Sequence, residues 1–196
     1  SVFSEVGMLP AELMGLKPSK FKCFNNLIKK KNFVNSLILN VSNTIDLINK
    51  KKSNSIILNY DENSTNLFYW YQQLIAESLG KKGKGILPIV SSMPKDNHSL
   101  MQLYLDGNNN NFFTFFYVNE KSGNSVSSKD ILNSHQYLKN KNVNDILKAQ
   151  FIATQNIFKK KNIPFRTFYL NKRNEQSLGE LFTFFILETI LLANAL

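Results

Sequence analysis

Short apolar runs that alternate with helix-like segments constrain the fold of this chain more than any other feature. Residues 55–59 and 86–90 have the pattern of strands, and the runs 112–118 and 164–170 follow later. Apolar residues recur at helical spacing between them, as in residues 65–79. This alternation predicts βαβ units, and therefore an α/β fold with a mainly parallel sheet. A run as apolar as 112–118 predicts a strand covered on both faces, and so a three-layer sandwich.

The first fifty residues differ, because their patterns are mostly helical. We therefore expect a helical segment over residues 1–50 and an α/β domain over residues 51–196. Pro10 is expected to open a short helix, since proline fits the first turn of a helix. Pro88 predicts that the second strand lies at the side of the sheet or at a bulge, because proline cannot donate a hydrogen bond to a neighbouring strand.

Two further helices are predicted from the signals at their ends. One covers residues 96–106. The last helix is expected to begin at Ser177, whose spacing from Glu180 fits a capping box. The apolar stretch 181–196 is too short to span a membrane and contains Glu188, so we expect a buried helix there.

The formal net charge of +10 raises the question of a nucleic-acid partner. Nearly all of this charge is lysine, in runs such as 29–31, 50–52 and 159–161, and the arginines are Arg166 and Arg173. Base recognition relies on arginine, and single-strand binding relies on interleaved aromatic side chains. Lysine runs near the ends of helices usually complement the helix dipole instead. We therefore expect no nucleic-acid partner and no membrane partner.

Generic signs of chemistry are few. The single cysteine, Cys23, cannot form an internal disulfide, and nothing suggests a metal site, so we expect a cytoplasmic protein. Residues 80–85 resemble a phosphate-binding loop only in composition, and we interpret them as a helix end and a turn. Glu77 follows Gln73 by four residues, which places both on one face near a helix end. Glu77 is either an ordinary surface group or a general base with raised proton affinity.

Two histidines need an interpretation as well. His98 begins a predicted helix just after a predicted strand, where a capping role and a catalytic role are both open, and His135 is expected on the surface. Ligands of parallel sheets bind beyond the carboxyl ends of the strands. This rule predicts a ligand site among the loops 60–64, 90–98 and 119–130.

Four blocks that follow one another along the chain resemble a single enzyme family. They are residues 1–11 (SVFSEVGMLPA), 72–81 (QQLIAESLGK), 96–107 (DNHSLMQLYLDG) and 177–189 (SLGELFTFFILET). All four resemble segments of glucose-6-phosphate isomerases of the bacterial type. The second resembles the helix with the family's catalytic glutamate, and the third resembles the segment with its catalytic histidine. The chain thus resembles the sugar-isomerase (SIS-like) domain region of that family.

The resemblance implies an enzyme that interconverts glucose 6-phosphate and fructose 6-phosphate through a cis-enediolate, without a metal or an organic cofactor. It implies that Glu77 moves a proton between C1 and C2, that His98 assists opening of the sugar ring, and that Gln73 binds the substrate. In the family the histidine comes from the neighbouring subunit, so a homodimer is implied. Asn97 stands where the family often has glutamine, and we expect only a small effect from this difference.

The resemblance also implies that parts of the site lie outside the chain. The family's arginine for the enediolate charge falls just before Ser1, its Asn-Pro-Phe-Asp-Gln signature and catalytic lysine fall after Leu196, and its phosphate loop belongs to an N-terminal domain. Loss of one such stabiliser costs about a hundredfold to a thousandfold in rate, so we expect the chain alone to be inactive. The alternative is a non-catalytic phosphosugar-binding module, which would tolerate replacement of Glu77. A basic nucleic-acid binder is the weaker rival, and steep salt dependence would identify it.

Overall fold

A parallel β-sheet forms the centre of the computed structural model, which describes residues 2–81, 83–120, 125–127 and 131–196. The strands are β1 (Asn54–Asn59), β2 (Leu87–Ser92), β3 (Asn111–Val118) and β4 (Phe165–Leu170). They lie in the order β2-β1-β3-β4, and each neighbouring pair is parallel. The predicted parallel α/β sheet is confirmed.

Helices cover both faces of this sheet. Those of the described residues are α1 (Glu5–Leu13), α2 (Pro18–Phe21), α3 (Phe24–Leu27), α4 (Lys31–Asn49), α5 (Thr65–Leu79), α6 (Asp96–Ser99), α7 (Met101–Asp106), α8 (Val143–Lys160) and α9 (Glu175–Ala195). Short 3-10 helices cover Glu62–Ser64 and Asn133–Leu138. Helices α4, α5 and α9 pack on one face, and α7 and α8 pack on the other. The three-layer sandwich is therefore confirmed.

Strand β3 explains why both faces must be covered. Every residue of β3 after Asn111 is buried. Phe116 meets Phe68 of α5 on one face, with ring centroids 4.7 Å apart. Phe113 meets Phe158 of α8 on the other face, at 4.8 Å. Burying each such side chain contributes about 1.5–3 kcal/mol, so the aromatic content of β3 selects this layered arrangement.

Pro88 lies in β2, at one side of the sheet, as predicted. It pairs with Ser55 of β1, the neighbour that the strand order gives to β2. A strand at the side of a sheet tolerates a residue without a backbone N–H, because one row of its backbone groups needs no strand partner.

The N-terminal helices pack against the last helix. Leu37 and Val41 of α4 belong to the same hydrophobic core as α5 and α9. Helix α2 approaches α9 so closely that a Cβ atom on Gly179 would lie 2.3 Å from the carbonyl oxygen of Phe21. Only glycine fits at this crossing. The division of the chain at residue 50 stays a prediction.

Two predicted helix boundaries are wrong. Pro10 does not open a helix but lies inside α1, because the carbonyl of Ser4 accepts the first hydrogen bonds, from the N–H groups of Gly7 and Met8. The predicted helix 96–106 is broken at Leu100, whose φ of −124° lies outside the helical range. The break gives two short helices, α6 and α7.

The predicted start of the last helix at Ser177 is also wrong. Helix α9 begins at Glu175, and Asn174 caps it: its side-chain oxygen accepts a hydrogen bond from the N–H of Ser177 at 2.8 Å. Ser177 therefore supplies one of the free N–H groups of the first turn, rather than the oxygen that satisfies one.

Helix α9 is the one helix of the described chain that is long and apolar enough to cross a membrane by length and composition, with 21 residues and a mean hydropathy of 1.5. Core helices of soluble folds pass the same test. Phe185, Glu188 and Leu192 of α9 are buried against the sheet and its neighbouring helices. This agrees with the buried helix expected from the sequence.

Candidate functional site

The direction of the chain through the sheet determines where each candidate residue lies. We call the side where the strands begin the amino end (Asn54, Leu87, Asn111 and Phe165) and the side where they finish the carboxyl end (Asn59, Ser92, Val118 and Leu170). Helix α5 leaves β1 at the carboxyl end and leads into β2 at the amino end. Its last turn, with Glu77, therefore lies at the amino end.

Glu77 is held on the last turns of a well-anchored helix. The Nε2 of Gln73 donates a hydrogen bond to Oε1 of Glu77 at 2.8 Å, and both side chains are exposed. The neighbouring Gln72 donates from Nε2 to the carbonyl oxygen of Pro88 at 2.7 Å, which ties α5 to β2. The helical spacing thus places the predicted pair in direct contact, and one carboxylate oxygen of Glu77 remains open to solvent.

The residues after Glu77 form the predicted helix end and turn. Gly80 follows the last residue of α5, while Gly83 and Gly85 have φ angles of +72° and +138°. A Cβ atom on Gly85 would lie 3.1 Å from the carbonyl oxygen of Leu79. Glycine is needed here for backbone shape, which supports the interpretation of this segment as a turn.

His98 lies at the other side of the sheet, beyond the carboxyl end of β2. Oδ2 of Asp96 accepts hydrogen bonds from the hydroxyl of Ser91 at 2.7 Å and from the N–H of Ser92 at 2.8 Å. These bonds fix the turn that carries α6 onto the end of β2. The side chain of His98 is exposed on α6. His135 is exposed as well, as expected.

A buried polar group lies next to His98 in the chain. The hydroxyl of Tyr60 donates a hydrogen bond to Oγ1 of Thr154 at 2.9 Å. Burial raises the pKa of Tyr60 to about 12, although hydrogen bonds to Thr154 and Asn97 act in the opposite direction. Oδ1 of Asn97 is buried and has no hydrogen-bond partner among the described residues.

Glu77 and His98 are not brought together within one chain. Strand β2 has six residues, and a strand rises about 3.3 Å per residue, so the two ends of the sheet are about 20 Å apart. That separation exceeds the reach of two side chains toward one six-carbon substrate. A site that uses both groups needs them from two copies of the chain.

An arginine cluster that the sequence did not predict closes the carboxyl end between β1 and β3. Nη2 of Arg173 donates to Oδ1 of Asp61 at 2.7 Å, and Nη1 lies 3.2 Å from Oε2 of Glu120. The backbone N–H of Arg173 also donates to Glu120, at 2.6 Å. The strand order reverses direction at this position, where open α/β sheets usually bind ligands. Of the predicted loop 119–130, residues 121–124 and 128–130 lie outside the described residues.

A second arginine cluster lies inside the fold, on the face covered by α5 and α9. Arg166 of β4 forms a two-pronged ion pair with Glu188 of α9 and donates to the hydroxyl of Tyr71 at 3.1 Å. Burial would lower the pKa of Arg166, but the charge of Glu188 raises it above its usual value. Burial and the charge of Glu188 raise the pKa of Tyr71. This cluster joins β4, α9 and α5, and it faces no substrate-sized opening.

No group of three or more metal-binding side chains was found in the described part of the chain. The polar side chains at the two ends of the sheet are carboxylates, amides, lysines and an imidazole. Such groups transfer protons and bind anions without a metal. The geometry is therefore that of a three-layer α/β protein with proton-transfer groups at both ends of a parallel sheet.

Comparison with curated proteins identifies relatives along nearly the whole chain. It is 31% identical over 194 residues to a probable glucose-6-phosphate isomerase of Methanococcus maripaludis, a match that covers 96% of this chain and 44% of the relative. It is 34% identical over 192 residues to the glucose-6-phosphate isomerase of Mycoplasmopsis pulmonis, covering 94% and 45%. The chain spans somewhat less than half the length of these relatives. No protein-family model matches it.

Solved structures confirm the fold. A hypothetical protein of Thermus thermophilus matches 98% of this chain and 48% of its own, with a TM-score of 0.82 at 22% identity. A glucose-6-phosphate isomerase of Chlamydia trachomatis matches 71% and 29%, with a TM-score of 0.52 at 16% identity. The resemblance inferred from the sequence blocks is thus confirmed: the chain is homologous to a part of glucose-6-phosphate isomerases.

Proposed function

We propose that this chain is the sugar-isomerase part of a cytoplasmic glucose-6-phosphate isomerase, an enzyme of glycolysis. The observation that carries the proposal is the Gln73–Glu77 pair, an exposed carboxylate that a neighbouring amide holds in place at 2.8 Å. This pair lies in one of the blocks that resemble the family. The names of the curated relatives support the same activity.

In the proposed reaction, Glu77 is the base. Its carboxylate takes the proton from C2 of open-chain glucose 6-phosphate, and the electrons of the C–H bond form the cis-enediolate. Return of the proton to C1 gives fructose 6-phosphate. Because Gln73 already donates to one carboxylate oxygen, it orients the other oxygen toward the substrate. General bases placed in this way contribute about a hundredfold to ten-thousandfold in rate.

His98 assists the ring opening that must come first. An imidazole suits this step because its charge changes near neutral pH. Since His98 and Glu77 lie at opposite ends of one sheet, we propose that each site combines Glu77 of one subunit with His98 of another, in a homodimer. The 196-residue chain by itself is then inactive or nearly so, because the charged groups that the resemblance places outside it are lacking.

The test is a coupled assay of fructose 6-phosphate isomerisation with the full-length protein. Glu77→Gln keeps the size and the hydrogen-bonding ability of the side chain but cannot accept the proton, so kcat should fall about a hundredfold or more. Glu12→Gln is the matched control, since Glu12 is also an exposed helical glutamate, and its activity should not change.

Activity that survives Glu77→Gln would remove Glu77 from the mechanism. Saturable binding of fructose 6-phosphate by a folded full-length protein without turnover would instead support the non-catalytic phosphosugar-binding module. The two outcomes can be separated by measuring binding and turnover on the same preparation.

A further inference from the structure

Three lysine runs that are far apart in the sequence meet at the amino end of the sheet. Residues 50–52 link α4 to β1, residues 81–84 link α5 to β2, and residues 159–161 link α8 to β4. Each run lies between the end of a helix and the start of a strand. Because the strands are parallel, all these starts lie on the same side of the sheet.

Most of these lysines are free. The exposed lysine side chains at this end that form no ion pair with any described residue are Lys50, Lys51, Lys81, Lys84, Lys159 and Lys160. Lys161 pairs with Asp106 at 2.5 Å. Asp46 and Glu77 are the other acidic side chains at this end. The amino end therefore carries a clear excess of positive charge.

The positive charge surrounds a polar cleft. A cavity of about 350 Å³ lies at the start of β3 and is lined by Lys52, Lys161, several asparagines and Tyr104. The Nζ of Lys52 donates to the carbonyl oxygen of Asn109 at 3.0 Å and to its side-chain oxygen at 2.7 Å. These bonds hold the loop before β3 against the loop before β1.

The helix dipole explains only part of this arrangement. A lysine in the last turn of a helix stabilises it by about 0.3–1 kcal/mol, and the effect falls off beyond that turn. Lys51, Lys81 and Lys84 lie after the last residues of their helices. Additional charges there repel one another, which is unfavourable unless an anion is bound between them.

We propose that the amino end of the sheet binds the phosphate backbone of single-stranded nucleic acid. The surface extends over three strand spacings, about 14 Å, and each lysine side chain extends it further, which suits about four consecutive phosphates. Arg166 is already paired inside the fold, so lysine contacts dominate, and lysines that contact phosphates carry no base preference. The sequence expectation of no nucleic-acid partner considered each run separately, whereas the parallel topology brings them together.

The test measures binding of a fluorescent oligouridine 20-mer to the 196-residue chain by anisotropy at several salt concentrations. About four phosphate contacts predict that log K falls with log salt with a slope of about −3. The triple variant Lys50→Gln, Lys159→Gln, Lys160→Gln should weaken binding about tenfold or more near 0.1 M salt.

The matched control is Lys29→Gln, Lys30→Gln, Lys31→Gln. It removes the same charge from exposed lysines at the start of α4, on the other side of the sheet, and should change binding less than about twofold. Equal weakening by both triple variants, or no salt dependence, would overturn the proposal. Inorganic polyphosphate that displaces the RNA at much lower phosphate concentration would also overturn it, in favour of that polymer. Circular dichroism confirms that both variants are folded.

Discussion

The two ends of the sheet present opposite chemistry although the same four strands connect them. The amino end carries the lysine runs together with Glu77. The carboxyl end carries more acids than bases, and it also carries His98. Its acidic side chains are Asp61, Glu62, Asp96, Glu120, Asp145 and Glu175, against Lys95, Lys172 and Arg173.

Topology is the cause of this difference. In a parallel sheet each connecting helix begins at the carboxyl end and finishes at the amino end, so helix N-termini collect on one side and C-termini on the other. Acidic side chains are favoured at the first kind of terminus and basic ones at the second. For Glu175, hydrogen bonds from backbone N–H groups lower the pKa of its carboxyl group at the start of α9. A proton-transfer site that needs both Glu77 and His98 must therefore join unlike ends of two molecules.

The two arginine clusters differ in the same way. Glu188 is 1% exposed and is the charge partner of Arg166, so that pair is shielded from water. Arg173 is 25% exposed, and its partners Asp61 and Glu120 also reach solvent. Because water screens the second cluster, the two should contribute very differently to stability.

The largest expected effect tests whether one site joins the two ends of different subunits. Full-length Glu77→Gln and His98→Asn chains should each be inactive. When they are refolded together, each mixed dimer should contain one site with intact Glu77 and His98. Activity should then return to about a quarter of the wild-type value, since half of the dimers are mixed.

If the mixture stays inactive while gel filtration and mass analysis show mixed dimers, each site draws both residues from one chain. That result would contradict the separation of about 20 Å between the ends. Two copies of the Glu77→Gln chain refolded together serve as the control for the refolding procedure.

A second prediction compares the two arginine clusters. Glu188→Ala leaves Arg166 buried without its charge partner and should lower the free energy of unfolding by about 3–5 kcal/mol. Asp61→Ala should lower it by only about 1 kcal/mol, because Arg173 keeps Glu120 and contact with water. Urea unfolding followed by circular dichroism measures both. Equal losses would show that burial does not separate the two clusters.

A third prediction concerns the carboxyl end at alkaline pH. The pKa of Tyr60 is raised to about 12, so its contribution to stability is complete below pH 10 and is lost as the pH rises through about 12. Between these values the unfolded chain ionises while the folded one does not. Tyr60→Phe should remove about 2–3 kcal/mol of the alkaline loss of stability. Unfolding free energies at pH 9 and at pH 12 measure it, and identical losses in both proteins would contradict the assignment.

The smallest expected effect distinguishes the two candidate caps of α9 at the carboxyl end. Asn174→Ala removes the side-chain oxygen that accepts from Ser177 and should cost about 1 kcal/mol. Ser177→Ala should cost about 0.5 kcal/mol or less, because only its backbone N–H takes part. Thermal unfolding midpoints of the two variants decide the matter. A larger effect at Ser177 would restore the capping box that the sequence suggested.

The sequence predicted features that depend on neighbouring residues. The strands, the place of Pro88, the Gln73–Glu77 contact and the turn after Gly80 all follow from local periodicity or from a backbone requirement of one residue. The start of α9 was wrong because Asn174 and Ser177 are both good caps, and local sequence does not choose between them. The Arg173 cluster and the opposite positions of Glu77 and His98 depend on strand order, which is a property of the whole sheet.

The close crossing of α2 and α9 at Gly179 has a consequence for synthesis of the protein. The ribosome makes Phe21 more than a hundred residues before its glycine partner. Until α9 has left the exit tunnel, the apolar faces of α2 and α4 have no surface on which to pack, so the nascent chain exposes them throughout elongation. Long-range closure of this kind slows folding and favours protection by chaperones. Correct assembly of the first helices therefore waits for the last one to be translated.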